Sequence, residues 1–268
     1  MSTVDTIAAE ALDILGSGRQ VPPFTASIAP GLDLDAAYRV TAAVRALREA
    51  RGERVVGRKI GFTNRTIWAE YGVYAPIWGY VWDTTVTDLA DTPVLPLAGL
   101  AEPRFEPEIM FGIGRAPRVG MDEEQLIGCL DWVAHGFEIV QSIFPNWKFA
   151  AADTVAAYGL HGRLVVGPRV PLAPGTDWLR ALSGFRVELY RDGVLQDTGH
   201  ARNVLDGPVS ALRHLVGLLA QDPHNPPLAA GEIVSTGTLT RALPVAPGEE
   251  WSTRLDGVPL EGVKVRFA

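Results

Sequence analysis

The sequence has little cysteine, no long hydrophobic run and no concentration of positive charge. Cys129 is the single cysteine among 268 residues, so an internal disulfide is excluded, and its apolar neighbours predict a buried thiol in a reducing compartment. No window approaches the roughly 18 apolar residues of a membrane span, and the N-terminal residues do not resemble a secretory signal. The 24 Lys+Arg against 31 Asp+Glu give a formal net charge of −7. We therefore expect a cytoplasmic protein with neither a membrane nor a nucleic-acid partner.

Several well-known catalytic motifs are also missing. The sequence contains no Gly-x-Ser-x-Gly nucleophile elbow and no phosphate-binding loop, and Gly112-Ile113-Gly114 lacks the third glycine of a dinucleotide fingerprint. These absences disfavour serine-nucleophile chemistry and the use of a nucleotide.

The pattern of apolar residues predicts one α+β domain with a mixed β-sheet. Residues 1–52 are expected to form a helical N-terminal arm, and residues 53–268 a catalytic body of short strands with a few helices between them. In the body, helices are predicted at Asp122–Ala134, after an Asp122/Gln125 capping box, and from Pro208 to Ala220. Strands are predicted in the body at 59–62, 137–143, 186–190, 233–240, 251–255 and 263–267.

Three carboxylates give the strongest chemical signal. Glu106 and Glu108 stand two residues apart in a predicted strand, so their side chains project from one face. Glu138 lies in another, otherwise apolar strand, where an ionised glutamate needs a partner. Carboxylate oxygens are preferred ligands of hard divalent cations, so the three predict a metal site. The alternative is a solvated strand face, with Glu138 paired to an arginine such as Arg104.

Lys59 and His161 are the other candidate catalytic residues. Lys59 stands among small and apolar residues of a predicted strand, which suits proton transfer or the binding of an anionic substrate if its side chain points inward. Alternatively Lys59 is exposed and Arg58 is buried. His161 is flanked closely by glycines, so a ligand could approach the backbone there. No pair of histidines has the spacing of a metal site.

The order and spacing of several segments resemble the hydratase/decarboxylase branch of the fumarylacetoacetate hydrolase superfamily over nearly the whole chain. The segments that carry the resemblance are Gly57-Arg58-Lys59-Ile60-Gly61, Glu106-Pro107-Glu108-Ile109, Gly136-Phe137-Glu138-Ile139, Asp153-Thr154-Val155-Ala156, Gly207-Pro208 and 228–237. The resemblance implies a mixed β-sheet roll, a homo-oligomer, and Mg²⁺ or Mn²⁺ held by Glu106, Glu108 and Glu138. It also assigns the family's active-site lysine to Lys59.

The family resemblance further implies a small-molecule substrate, a 2-oxo or 2-enol carboxylate that the metal would chelate through its carboxylate and C2 oxygen. We therefore expect a hydro-lyase that adds water to a 2-hydroxy-2,4-dienoate in aromatic-compound catabolism. The alternatives are an acylpyruvate hydrolase, a scaffold protein that binds no metal, and a decarboxylase of a 2-oxo dienedioate. The decarboxylase would need a cation for the second carboxylate, for which the candidates are Arg58, Arg65, Lys148 and Arg163.

Two departures from the family pattern stand near the expected site. The aspartate that many hydratases of the family carry after a Gly-Val element is missing or moved, and the nearest carboxylate is that of Asp83. Serines that follow the Asp-Thr-Ile-Ala element in many members are replaced by Leu160 and His161. His161 either takes over a proton transfer or reshapes the pocket for another substrate.

Overall fold

The fold combines two β-sheets with eight α-helices in the part of the chain that the computed structural model describes, residues 2–92, 94–172 and 175–268. The helices are α1 (Thr3–Ile14), α2 (Phe24–Ser27), α3 (Leu34–Ala50), α4 (Trp68–Tyr71), α5 (Glu123–Ile127), α6 (Ala151–Ala156), α7 (Trp178–Gly184) and α8 (Pro208–Gln221). The strands are β1 (Val55–Gly61), β2 (Ile77–Trp82), β3 (Val86–Asp88), β4 (Val94–Leu95), β5 (Arg104–Ile113), β6 (Leu130–Val140), β7 (His161–Pro171), β8 (Arg186–Arg191), β9 (Val194–His200), β10 (Ile233–Ser235), β11 (Leu243–Pro244), β12 (Glu250–Asp256) and β13 (Lys264–Phe267). The α+β class predicted from the sequence is confirmed.

The larger sheet is mixed and carries the chemically interesting strands. Its order is β2-β1-β10-β5-β6-β7-β3, with β11 paired to one end of β5. The pairs β1/β10 and β3/β7 are parallel, whereas β5/β6 and β6/β7 are long antiparallel pairs. The smaller sheet has the order β4-β13-β12-β8-β9.

The two faces of the larger sheet have different surroundings. Ile60, Ile109 and Phe111 pack in the same hydrophobic cluster as the apolar residues of α8. Because side chains alternate along a strand, Lys59 and the two glutamates of β5 project from the opposite face. Helix α8 is therefore structural support for the sheet, and the candidate site lies on the other side.

The first three helices pack together beside the larger sheet. Helix α1 begins with a capping box made by Ser2 and Asp5, and α3 is capped by Asp33, whose carboxylate accepts from Ala36 N–H. Their buried residues share a cluster with Ile77 and with α6. The boundary between an arm and a body at residue 52 stays a prediction. None of the helices in the described ranges is both long and apolar enough to cross a membrane.

The predicted helix Asp122–Ala134 is wrong beyond its first turn. The capping box of Asp122 and Gln125 is present, but α5 ends at Ile127 and the chain enters β6 at Leu130. Residues 133–140 are all buried because other structural elements cover both faces of β6, so their apolar run lacks the alternation of a half-exposed strand. The predicted strand 233–240 is also too long, since β10 ends at Ser235.

Both cations of β1 are buried. The alternative of an exposed Lys59 is therefore wrong, whereas Arg58 is buried as that alternative assumed. Arg58 lies on the α8 side, where its Nη1 is 3.1 Å from Glu232 Oε1 and its guanidinium carbon lies 4.1 Å from the centre of the Tyr80 ring. A buried charge of this kind is tolerated because it is paired and stacked.

We expect Arg58→Ala to lower the free energy of unfolding by about 3–5 kcal/mol, because it leaves Glu232 without its buried partner. Urea denaturation followed by far-ultraviolet circular dichroism measures the change. Arg54→Ala is the matched control: Arg54 also pairs with a carboxylate, that of Asp83, but its side chain is 80% exposed, so its removal should cost less than about 1 kcal/mol. Equal effects of the two substitutions would contradict this account of Arg58.

Candidate metal and substrate site

Glu106, Glu108 and Glu138 come together on one face of the larger sheet. The β5/β6 register places Glu106 directly opposite Glu138, and Glu108 follows two residues along the same face. One carboxylate oxygen from each residue lies within 4.8 Å of the other two. Glu108 and Glu138 are fully buried and Glu106 is half-buried, so the solvated strand face considered above does not exist.

Glu108 is held at one oxygen only. Its Oε2 accepts hydrogen bonds from Ser235 Oγ and, at 2.8 Å, from Gly237 N–H, whereas its buried Oε1 has no hydrogen-bonding partner among the described residues. Gly237 has φ of 99°, and a Cβ atom there would lie 1.8 Å from Thr63 Oγ1, so only glycine allows this contact. The remaining oxygen of Glu108 is thus suited to an external ligand.

Lys59 lies against the carboxylates from β1. Its Nζ is 3.2 Å from Glu138 Oε2 and donates to Gly159 O at 3.0 Å. The contact with Glu138 is an ion pair and not a hydrogen bond, so at least one of the three ammonium hydrogens remains for a further acceptor. Lys59 also lines the cavity described below. The lysine is fixed by the protein at one side and faces the cavity at the other.

His161 supports Glu138 from behind. It is buried at the start of β7, with Nδ1 2.7 Å from Glu138 Oε1 and Nε2 2.8 Å from Thr85 Oγ1. Burial lowers the pKa of His161 although Glu138 opposes the shift. Since a carboxylate can only accept, we assign the Nδ1 proton to the bond with Glu138. His161 is not among the described residues that line the cavity.

The charges of this cluster do not balance without a further cation. Burial and the neighbouring carboxylates raise the pKa of Glu108 well above its ordinary value, and burial raises the pKa of Glu106 to about 7. Burial also disfavours the charge of Glu138, but Lys59 and His161 outweigh this effect of burial and lower the pKa of Glu138. Burial likewise opposes the charge of Lys59, but the three carboxylates together raise its pKa. Three acidic groups stand against one ammonium, and two buried carboxylate oxygens, Glu108 Oε1 and Glu138 Oε2, accept no hydrogen bond from the described residues. Both features fit a divalent cation.

A cavity opens beside Lys59 and Glu106, and its other side is mainly apolar. The apolar side chains that line it are those of Phe62, Val140, Trp147, Leu160 and Ala242. Lys59 is the one cationic residue among the described residues that line the cavity. The cavity therefore has a charged end at Lys59 and Glu106 and an uncharged, mainly apolar end.

The other charged candidates lie elsewhere. Arg58 is on the opposite sheet face, Arg65 pairs at the surface with Asp206, and Lys148 is exposed. Arg163 lines a separate groove. Asp83, the nearest replacement for the missing aspartate, binds Arg54 and does not line the cavity.

Two further residues border the site. His135 is a satisfied core histidine that bonds to Glu108 O and Thr253 Oγ1. Arg104, the alternative partner proposed for Glu138, lies over the Trp147 ring, and its positive charge opposes the rise in the pKa of Glu106.

Sequence reasoning missed the residues that support or shape the site from distant segments. Ser235 and Gly237 hold Glu108, Thr85 contacts His161, and Phe62 and Trp147 line the cavity. In the sequence, only the family pattern marks the segment 228–237. Nothing local distinguishes Thr85 or Trp147 in the sequence.

Comparison with known proteins places the fold and the site in a family. A 4-oxalocrotonate decarboxylase of Pseudomonas sp. (strain CF600) is 32% identical over 240 residues, which cover 89% of this chain and 87% of that protein. A 2-keto-4-pentenoate hydratase of Paraburkholderia xenovorans (strain LB400) is 32% identical over 248 residues, covering 90% and 87%. The solved structure of 4-oxalocrotonate decarboxylase from Pseudomonas putida G7, complexed with magnesium and adipate, matches with a TM-score of 0.88 at 27% identity and covers 99% of this chain and 97% of that one. No protein-family profile matches the chain.

The fold and the site therefore define an enzyme of the hydratase/decarboxylase type, with a mixed-sheet fold of the fumarylacetoacetate hydrolase kind. The chain belongs to the family of the 2-keto-4-pentenoate hydratases and 4-oxalocrotonate decarboxylases. The family resemblance predicted from the sequence is confirmed.

Proposed function

We propose that this protein is a metal-dependent hydro-lyase that adds water to a 2-hydroxy-2,4-dienoate and forms a 4-hydroxy-2-oxo acid in aromatic-compound catabolism. The observation that carries the proposal is the cluster of three glutamates with Lys59, of which Lys59 and Glu106 line one cavity. Glu106, Glu108 and Glu138 would hold Mg²⁺ or Mn²⁺, whose preference for carboxylate oxygens fits this set of ligands.

The chemistry needs an electron sink at C2 of the substrate. When bound, the cation supplies Lewis acidity to a 2-oxo carboxylate. Lys59 binds a substrate oxygen with its remaining N–H and assists the proton transfer between enol and ketone at that oxygen. The apolar side of the cavity limits the access of bulk water to the bound diene.

The overall reaction balances in two steps. The proton of the C2 hydroxyl leaves and a proton is added at C5, which gives the conjugated 2-oxo-3-enoate. Water then adds across the C3–C4 bond, with hydroxide at C4 and a proton at C3. Because the carbonyl at C2 accepts the electron pair from C3, holding this oxygen beside Lys59 favours the addition.

The lining of the cavity favours hydration over the other reactions. A 2-oxo dienedioate would place its second carboxylate at the apolar end, where no described lining residue is cationic. An acylpyruvate hydrolase needs a base for water, and the candidate His161 is bonded to Glu138 and Thr85 instead. A metal-free scaffold would retain buried like charges without compensation.

The test is the ultraviolet absorbance of freshly generated 2-hydroxypenta-2,4-dienoate with enzyme and Mg²⁺ or Mn²⁺, repeated with a chelator and followed by product identification by NMR. We expect loss of the dienol band only with metal, and 4-hydroxy-2-oxopentanoate as product. Release of CO₂ from 4-oxalocrotonate, with no hydration of the dienoate, would favour the decarboxylase instead.

We infer that His161 acts through Glu138 as a positioning residue. His161→Gln is expected to weaken Mn²⁺ binding by about 10- to 100-fold, the usual cost of losing a partner that orients a metal ligand. Isothermal titration calorimetry of the metal-free protein measures this affinity. His214→Gln, at an exposed position of α8, is the control and should bind Mn²⁺ as the unmodified protein does. Unchanged binding by His161→Gln would contradict the positioning role.

We also infer a cytoplasmic, homo-oligomeric enzyme. The buried, unpaired Cys129 is compatible with a reducing compartment, and the family resemblance supports assembly. Fractionation of the native host and light scattering of the purified protein test these two points.

A further inference from the structure

Three large side chains at the apolar end of the cavity belong to residues with left-handed backbone. Phe62, Trp147 and Leu160 have φ of 51°, 57° and 63°, and all three line the cavity. This conformation is costly for a residue with a Cβ atom and persists only where the surroundings enforce it. Such residues cluster at functional sites, and here they share one wall.

The Trp147 side chain is held from several directions. Its Nε1–H donates to Glu102 O at 3.1 Å, and the preceding Asn146 N–H donates to Glu102 Oε1 at 3.0 Å. Glu102 is itself left-handed, with φ of 44°. The guanidinium carbon of Arg104 lies 4.3 Å from the centre of the indole ring. These contacts orient a flat apolar surface toward the cavity.

The other two residues are fixed through their backbones. Leu160 N–H donates to Ala157 O, and Leu160 O accepts from Gln141 N–H, both at 2.9 Å. Phe62 O accepts from Trp68 Nε1–H at 2.8 Å. Leu160 and Trp147 share a hydrophobic cluster with Val140, and Phe62 packs against this cluster. The wall is thus preorganised before any ligand binds.

We propose that Phe62, Trp147 and Leu160 form the specificity wall of the substrate site, which accepts an uncharged apolar end at the far carbon and rejects a second carboxylate. The inference rests on the proposed function, because it assumes that the 2-oxo carboxylate end lies at Lys59 and the glutamates. A second carboxylate against this wall would lose its hydration without meeting a cationic side chain of the described cavity lining, because the Arg104 guanidinium lies over the Trp147 ring and does not line the cavity. An alkyl end would instead bury apolar surface.

Two unreactive probes of equal length test the proposal by calorimetry on the Mg²⁺-loaded protein. The probes are 2-oxohexanoate, which ends in a methyl group, and 2-oxoadipate, which ends in a carboxylate. We expect the unmodified protein to bind 2-oxohexanoate at least about tenfold more tightly, the lower range of discrimination by an apolar pocket. Trp147→Ala should reduce this ratio severalfold, and Trp147→Phe should retain most of it.

Trp132→Ala is the matched control. Trp132 is a half-buried tryptophan with the Arg169 guanidinium 5.1 Å from its ring centre, but it does not line the cavity. Its removal should leave the ratio of the two affinities unchanged. Leu160→Ala provides a second variant of the wall should Trp147→Ala fail to fold.

Three results would overturn the proposed wall. They are equal affinities for the two probes, no binding of either probe, or an unchanged ratio of the two affinities in folded Trp147→Ala. A different result would contradict the proposed function. If the protein binds 2-oxohexanoate selectively but hydrates no dienoate, the specificity wall stands and the hydratase assignment is wrong.

Discussion

Exchanging Glu108 for glutamine is expected to weaken Mn²⁺ binding by more than about 100-fold, which exceeds the usual cost of losing a residue that only orients a metal ligand. The exchange is also expected to raise the thermal midpoint of the metal-free protein at pH 8. Both effects have one cause. Glu108 is buried beside two other carboxylates, and its Oε1 has no hydrogen-bonding partner among the described residues. The negative charge is unfavourable without a cation and is needed to bind one.

The pH dependence has a definite sign in the metal-free protein. The pKa of Glu108 is well above its ordinary value and that of Glu106 is raised to about 7. At pH values between the pKa of each glutamate in the unfolded chain and its raised pKa in the folded protein, the folded protein holds protons that the unfolded chain has lost. The free energy of unfolding therefore falls as pH rises. Glu108→Gln removes part of this loss of stability, because the amide of glutamine is neutral at every pH.

Differential scanning calorimetry with and without Mn²⁺ measures both effects. The unmodified protein should gain about 2.7 kcal/mol of stability at a metal concentration 100 times its dissociation constant, and Glu108→Gln should gain almost none at that concentration. Glu124→Gln, at an exposed position of α5, should respond as the unmodified protein does. Undiminished metal stabilisation of Glu108→Gln would exclude Glu108 as a ligand.

Replacing Lys59 by methionine is expected to separate catalysis from metal binding. The substitution should lower kcat for the dienoate by about 10²- to 10⁴-fold, the usual contribution of a positioned acid or base. Mn²⁺ affinity should stay equal or increase, because Lys59 is a cation 3.2 Å from Glu138 Oε2 and repels a second cation. A residue that only maintained the fold would lower both quantities.

The measurements for Lys59→Met are steady-state kinetics on the dienoate and calorimetric titration with Mn²⁺. Lys264→Met is the control, since Lys264 is a largely exposed lysine paired with Glu250 in the smaller sheet. It should keep both kcat and metal affinity. A Lys59→Met protein with unchanged kcat would remove the lysine from the mechanism, whereas strongly weakened Mn²⁺ binding would show that it organises the metal site.

The sequence predicted the carboxylate cluster because its signal is local. Glu106 and Glu108 share a face at spacing two, and Glu138 stands out as a charge in an apolar strand. The β5/β6 register that joins them could not be read from spacing, although the family resemblance implied a common metal. Lys59 was found for the same reason as Glu138, by its apolar neighbours.

The parts that the sequence did not predict depend on tertiary contacts. The sequence predicts a helix over the start of β6, because burial on both faces removes the alternation that identifies a strand. The left-handed backbones of Phe62 and Trp147 are enforced by hydrogen bonds and packing from other segments, such as those of Glu102 and Trp68. No residue-type preference predicts this conformation for a large aromatic residue.

The central claim is that Glu106, Glu108 and Glu138 jointly bind the catalytic cation. The most direct test is an anomalous difference map from crystals grown with Mn²⁺, recorded near the manganese absorption edge. The account predicts a strong peak with an oxygen of each glutamate at about 2 Å, the distance typical of small divalent cations. A manganese peak elsewhere, or none between these three carboxylates at saturating Mn²⁺, would contradict it.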